Sequence, residues 1–384
     1  MTFHLTGPDP EFFYKLSLPF AYAVPTGVPA REAGTHPLPA TGPYVIASYR
    51  PKRLLTLERN KYFHEWSQAA QPDGYPDKVV VKVGGSADEA VEAVERGDAD
   101  AFDGNQSGPP STAKLTEAKT RFASQVHANP QSGTLGLFLN TRLRPFDDVR
   151  VRRALNYTAN RAAAVQLQGG PDLAQPTCQI LPPNFPGYRP YCPYTVDRTA
   201  SGAPDLAKAR RLVAASGTQG MAVTVFAYEP FRNLGPYAAK LLRSLGYKAS
   251  VKVLGDEYFD TVSDSTNRPQ IGFVYWIADY PAASDFFNVL LSCGAFRPGT
   301  PLNQNLAEFC DPPTDRAIDR ALRLQAASPQ AARNLWQRVD VRTVAQAPWV
   351  PLITPKVVDF VSKRAGNYQY SPQWAMLIDQ LWVK

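Results

Sequence analysis

Ile271-Gly272-Phe273-Val274-Tyr275-Trp276-Ile277-Ala278-Asp279-Tyr280-Pro281 is the stretch whose reading decides the fold. An uninterrupted apolar run that ends on a carboxylate and a proline reads as a buried strand followed by a turn. In open α/β sheets, ligands sit beyond the carboxyl ends of strands. Asp279, just past the strand and beside Trp276, is therefore placed to offer a cationic group a charge-assisted hydrogen bond in a cleft. The same residues equally allow Asp279 to start a turn before Pro281, with Trp276 in the core.

Upstream, the pattern alternates. A helix over 205–216 with Gly217 as its cap, a strand over 221–228, a helix over 236–245, a strand over 248–253 and a short helix around Tyr258 lead into the strand from Ile271. Strands alternating with helices predict βαβ units and a mainly parallel sheet. Before them, a strand over 135–140 leads through Pro145 to a helix N-capped by Asp147 or Asp148, with Val151, Ala154, Leu155, Thr158 and Ala162 at helical spacing. Downstream, helices over 314–326 and 329–346 precede a strand over 349–353 and an aromatic tail holding Tyr368, Tyr370 and Trp374.

The first third is mixed α/β. Thr2-Phe3-His4-Leu5 alternates like a strand, and a proline-rich loop runs on to Thr41-Gly42-Pro43-Tyr44. Residues 44–50 and 54–59 read as a hairpin, 79–83 as a third strand, 87–96 as a helix capped by Gly97, and 99–102 as a further strand. The abrupt start reads as an entry in mid-domain.

With 384 residues, 44% hydrophobic and 20% charged, the chain is too long for one ordinary core, and two lobes are expected. The 36 prolines imply long ordered loops. A net charge of +7 raises nucleic acid as a partner. However, the densest basic group, Arg150, Arg152 and Arg153, opens a helix with no aromatic stacking platform, so no nucleic acid is expected. No run approaches a membrane span, and residues 1–11 lack a basic region followed by an apolar one. Cys178, Cys192, Cys293 and Cys310 form two sequence-local pairs in loops, without zinc or redox spacing. Four free thiols are possible, but the setting favours disulfides Cys178–Cys192 and Cys293–Cys310 and an oxidising compartment.

Chemistry for catalysis is missing from the motifs. No G-x-S-x-G elbow, H-E-x-x-H pair, Walker loop or G-x-G-x-x-G fingerprint occurs. His4, His36, His64 and His127 stand apart, without ligand-spaced partners. Asp98, Asp100, Asp103 and Gly104 only loosely follow a calcium loop, since Phe102 falls where an oxygen ligand belongs. No enzyme activity, metal or cofactor is expected.

An ordered set of motifs goes further. Thr41-Gly42-Pro43-Tyr44, Leu57-Glu58-Arg59-Asn60 with Tyr62, Gly97-Asp98-Ala99-Asp100, Phe138-Leu139-Asn140-Thr141, Pro145-Phe146-Asp147-Asp148-Val149-Arg150-Val151-Arg152, Leu155-Asn156-Tyr157 with Arg161, and finally Trp276 with Asp279 resemble the family 5 solute-binding proteins. These include the dipeptide-, oligopeptide- and nickel-binding components of bacterial ABC importers. Each motif is weak alone; their order from about residue 40 to the C-terminus is specific.

The resemblance implies an α/β, two-lobed periplasmic-binding-protein-like fold of the type II, peptide-binding class, with mixed sheets and βαβ units. Residues 1–134 would form a partial lobe one and hinge, 135–353 lobe two, and 354–384 the return to lobe one. It implies crossings near 128–139 and 351–361 and ligand captured by hinge closure. It also implies that Asp279 pairs with a peptide α-ammonium, that Trp276, Tyr275 and Tyr280 line the pocket, and that Asp103 and Asn105 border the cleft. Partners would be a peptide or similar small solute and the permease subunits of the importer, with the binding protein a monomer outside the cytoplasm.

Two departures bear on this. Phe273 stands where some oligopeptide binders carry an arginine, and relatives are longer at the N-terminus, so the first part of lobe one is expected to be missing. The competing readings are a truncated member without binding activity and a hydrolase on a similar fold. Peptides come first among ligands because Asp279 offers a fixed anion and no histidine cluster is present.

Overall fold

The computed structural model describes residues 2–28, 34–69 and 71–384. It divides into two units, one made of Met1–Lys15 with Pro130–Lys356 and the other of Leu16–Asn129 with Val357–Lys384. The chain thus changes unit at 129/130 and 356/357, and also at 15/16.

The larger unit is built on a mixed sheet. Gly133–Leu139 is buried at every residue and pairs antiparallel with Ile271–Ile277, in register from Ile271 opposite Leu139 to Ile277 opposite Gly133. Its other edge pairs antiparallel with the start of Trp349–Val361. Only beyond Ile271–Ile277 is the sheet parallel, through Ala222–Tyr228 and then Lys248–Leu254. The expectation of a mainly parallel sheet is corrected accordingly. Helix Leu234–Ser244 returns the chain between two strands and enforces parallel pairing there. The strands from 133 and 349 come from outside that alternation and pair antiparallel. The closing strand is also longer than expected, thirteen residues rather than five.

Helix ends follow local chemistry. Asp148 accepts from the Arg150 amide at the start of Val149–Thr158, and Asp205 from the Lys208 amide at the start of Leu206–Ser216. Gly217 closes the latter at φ 66°, a left-handed conformation that costs glycine little. Asp311 caps Pro312–Ala327, which packs against Pro329–Gln346. Residues 2–5 form no strand; Phe3 instead packs edge-on against Phe12 at 5.1 Å. The loop expected before Thr41 contains a short helix, Phe12–Leu16, and its residues 29–33 lie outside those described.

The basic cluster is absorbed by backbone. Arg152, buried, donates to the carbonyls of Gln346, Phe146 and Asp147; Arg153 donates to that of Ala345; Arg150 holds Asp148 and the Ala215 carbonyl. Ala345, Gln346 and Ala215 end helices, where cations are favourable. Both cysteine pairs are bonded as expected, with Cα separations of 5.2 Å for Cys178–Cys192 and 4.3 Å for Cys293–Cys310.

In the smaller unit, Tyr44–Arg50, Leu54–Arg59 and Lys78–Lys82 form an antiparallel sheet in that order. Ser86 and Glu89 make a reciprocal capping box for Ala87–Arg96, which ends on Gly97. Ala101–Phe102 then pairs with Phe360 and Val361.

Candidate functional site

The strand from Ile271 is held tightly at its base. A side chain at Gly272 would meet the Phe138 ring at 2.7 Å, and the Tyr258 hydroxyl donates to the Phe273 carbonyl at 2.7 Å. Phe273 is therefore core, which accounts for its apolar character. Toward the carboxyl end the side chains become accessible. Tyr275 donates from its hydroxyl to Gln131 Oε1 at 2.9 Å. Trp276 donates from Nε1 to Asp285 Oδ2 at 2.9 Å, and the backbone N–H of Asp279 reaches the same oxygen at 2.9 Å. Asp285, the second residue of helix Ser284–Leu290, is fully buried. Asp279 itself is exposed, yet partial desolvation by the surrounding protein raises its carboxyl above the ordinary range.

Tyr280 is enclosed rather than open. Its ring stacks on Tyr14 at 6.1 Å and its hydroxyl lies 3.4 Å from Glu11 Oε2. Glu11, buried, also accepts from Ser284 Oγ and from Gln325 Nε2 at 3.0 Å, and Gln325 in turn accepts from Trp336 Nε1 at 2.7 Å. Burial pushes the Glu11 carboxyl up, and burial followed by the nearby Glu11 charge pushes the Tyr280 phenol up.

The other two expected residues lie in the smaller unit. Asp103 caps the short helix Gly104–Ser107, accepting from the Asn105 amide at 2.9 Å, while Asn105 is exposed. Behind them Asp359 accepts from the Gly104 amide at 3.1 Å and from the Tyr368 hydroxyl at 2.6 Å, and that hydroxyl accepts from Asn129 Nδ2 at 2.6 Å. The His127 ring stacks on Tyr368 at 3.9 Å. Desolvation raises the carboxyls of both Asp103 and Asp359. The loose calcium pattern is spent on local contacts, Asp98 on Arg96 and Asp100 on Arg364. Among the described residues, no group of three or more His, Cys, Asp or Glu could hold a metal ion.

Tyr275, Trp276, Asp279 and Tyr280 are thus gathered on one strand end, and Asp103 with Asn105 on one helix start. Reading the sequence missed Asp285, Glu11 and Asp359. Asp359 carried a usable signal, a lone carboxylate inside the apolar run Val357-Val358-Asp359-Phe360-Val361; Glu11 carried none. A recess of about 320 Å³ over Asn184, Tyr188, Arg189 and Arg333 includes none of the candidate residues.

The family model described as bacterial extracellular solute-binding proteins, family 5 Middle, matches residues 1–297. The chain belongs to this family. Among family 5 relatives, di/tripeptide-binding protein 2 of Pseudomonas aeruginosa strain UCBPP-PA14 is 28% identical over 62% of this chain and 43% of its own length. The glutathione-binding protein GsiB of Salmonella typhimurium is 23% identical over 92% of this chain and 66% of its own. This family 5 chain therefore spans between about two fifths and two thirds of those relatives. Its fold is that of the solved clavulanic acid biosynthesis oligopeptide binding protein 2, with a TM-score of 0.86 over 99% of this chain and 70% of that one, at 24% identity. Among the described residues, no helix is long and apolar enough to cross a membrane.

Proposed function

We propose that this chain captures a peptide with a free amino terminus and delivers it to the permease of an ABC importer, without chemistry of its own. The observation that carries the reading is the end of the strand Ile271–Ile277. Asp279 presents an accessible carboxylate there, while Asp285 pins both the neighbouring indole and the Asp279 backbone. A fixed carboxylate beside an aromatic wall suits an α-ammonium, which forms strong charge-assisted hydrogen bonds. Tyr275 and Trp276 would flank the ligand. Support comes from family membership and from relatives whose names specify di/tripeptides and glutathione. Two disulfides fit work outside the cytoplasm.

Calorimetric titration of the chain with trialanine and with N-acetyl-trialanine tests the reading. Preference for the free amine is expected. Equal affinity for the two would remove the ammonium anchor.

A further inference from the structure

Asp285 uses its two oxygens very unequally. Oδ2 accepts two hydrogen bonds, from Trp276 Nε1 and from the Asp279 amide, whereas Oδ1 is buried with no hydrogen-bond partner. Among the described residues, no Lys, Arg or His forms an ion pair with it. The groups that face it electrostatically are the carboxylates Asp279, on its own turn, and Glu11, from the N-terminal segment. The Tyr280 phenol feels Asp285 in turn, and the Lys15 ammonium, which acts on Glu11, is engaged by Asp9 at 2.7 Å. A buried anion with a bare oxygen and two like charges for company is costly, and a proton on that oxygen removes most of the cost.

We infer that Asp285 is the positioning residue of this site, that its unpartnered oxygen carries a proton in the empty protein, and that a cation arriving at Asp279 expels that proton to solvent. The coupling rests on the proposed role of Asp279; the proton and the positioning do not. Desolvation raises the Asp285 carboxyl to about 7, with the Asp279 charge adding to the rise, so the group is poised where a small change of field moves its proton. An ammonium beside Asp279 cancels that repulsion and lowers the Asp285 carboxyl again. One positive charge enters as one proton leaves.

The first test needs no ligand. The Trp276 indole ¹⁵N–¹H resonance, assigned by Trp276→Phe, is followed between about pH 5 and about pH 9. In wild type it is expected to titrate near neutrality. In Asp285→Asn it should stay hydrogen-bonded but flat, and in Asp285→Ala it should move to the position of an unbonded indole. A flat wild-type curve, or an Asp285→Ala indole that does not move, overturns the inference. The second test titrates trialanine calorimetrically at pH 7 in phosphate and in Tris, whose ionisation enthalpies differ. Wild type should release a fraction of a proton, up to one, and Asp285→Asn none. Binding without proton release overturns the coupling. If trialanine fails to bind while the indole titrates, the ammonium reading falls and the coupling with it, and the protonated, positioning Asp285 stands.

Discussion

Asp340 accepts a 2.7 Å hydrogen bond from the Gln179 side-chain amide, which ties helix Pro329–Gln346 to the loop closed by Cys178 and Cys192. The same carboxylate accepts from the Ile180 amide at 3.2 Å, and Gln179 passes the connection on by accepting from the Tyr191 amide at 2.6 Å. One buried acid therefore fixes the path of a long loop that contains little regular structure.

The pH dependence of stability follows from that burial. Desolvation raises the Asp340 carboxyl to about 7, above its unfolded value, so the native state holds a proton that the unfolded chain releases. Its contribution to stability is present below the unfolded value and is lost as pH rises through about 7. The melting temperature of wild type should fall relative to that of Asp340→Asn between about pH 5 and about pH 8. Subtracting the variant removes the parallel trend from Asp285. Superimposable pH profiles for the two proteins would show that Asp340 does not titrate in this range.

Each disulfide closes a short loop, with sequence separations of 14 and 17. In the chain-entropy account, loops of this size restrict the unfolded chain by about 3 kcal/mol each. Replacing Cys293 and Cys310 together by serine should lower the unfolding free energy in urea by about that amount, with no change in m-value beyond that from a less restricted unfolded state. Mass mapping of a non-reduced digest should recover the two local pairs. Recovery of peptides crossed between the two loops would contradict the pairing.

Much of this fold was legible in the sequence because its local signals agree with its global pattern. The hairpin over 44–59 is bounded as expected, and the helices over 87–96 and 206–216 end where their glycine caps stand. Strand direction was less legible, because alternation fixes pairing only where a helix returns the chain, and Gly133–Leu139 finds its neighbours through contacts more than a hundred residues away in sequence. The site was legible in part. Asp279 stands out as the charge ending an apolar run, whereas Asp285 and Glu11 look like ordinary acids in or before a helix. Only the folded backbone brings Asp285 beneath Trp276, or Glu11 beneath Ser284.

The arginine cluster makes a prediction about stability that nucleic-acid binding would not. Arg152 is buried and satisfies three carbonyls, so Arg152→Met leaves acceptors without donors and should cost about 2 to 3 kcal/mol. Arg150→Ala, at an exposed position where solvent screens the pair with Asp148, should cost much less. Urea unfolding of the two variants checks the contrast; equal losses would mean that burial of Arg152 does not decide its contribution.

Asp279→Asn is the variant that bears most directly on function. The side chain keeps its size, and its backbone N–H still reaches Asp285, so the turn and the melting temperature should hardly change. What is lost is the negative charge. A hydrogen bond between charged partners contributes about 1.5 to 3 kcal/mol, so affinity for trialanine should weaken by about 10- to 150-fold. The exposure of Asp279 sets this range below that of a fully buried pair. N-acetyl-trialanine has no ammonium to lose, and its affinity should be the same for both proteins. The pH profile supplies an independent check, because only the ionised carboxylate attracts the cation. Desolvation raises the Asp279 carboxyl, so wild-type affinity should start to fall at a higher pH than for an ordinary aspartate as the solution is acidified. The variant lacks that group, and its own affinity should not follow that fall. If the two proteins bind trialanine equally well and with the same pH profile, Asp279 is a turn residue and the ligand is recognised elsewhere.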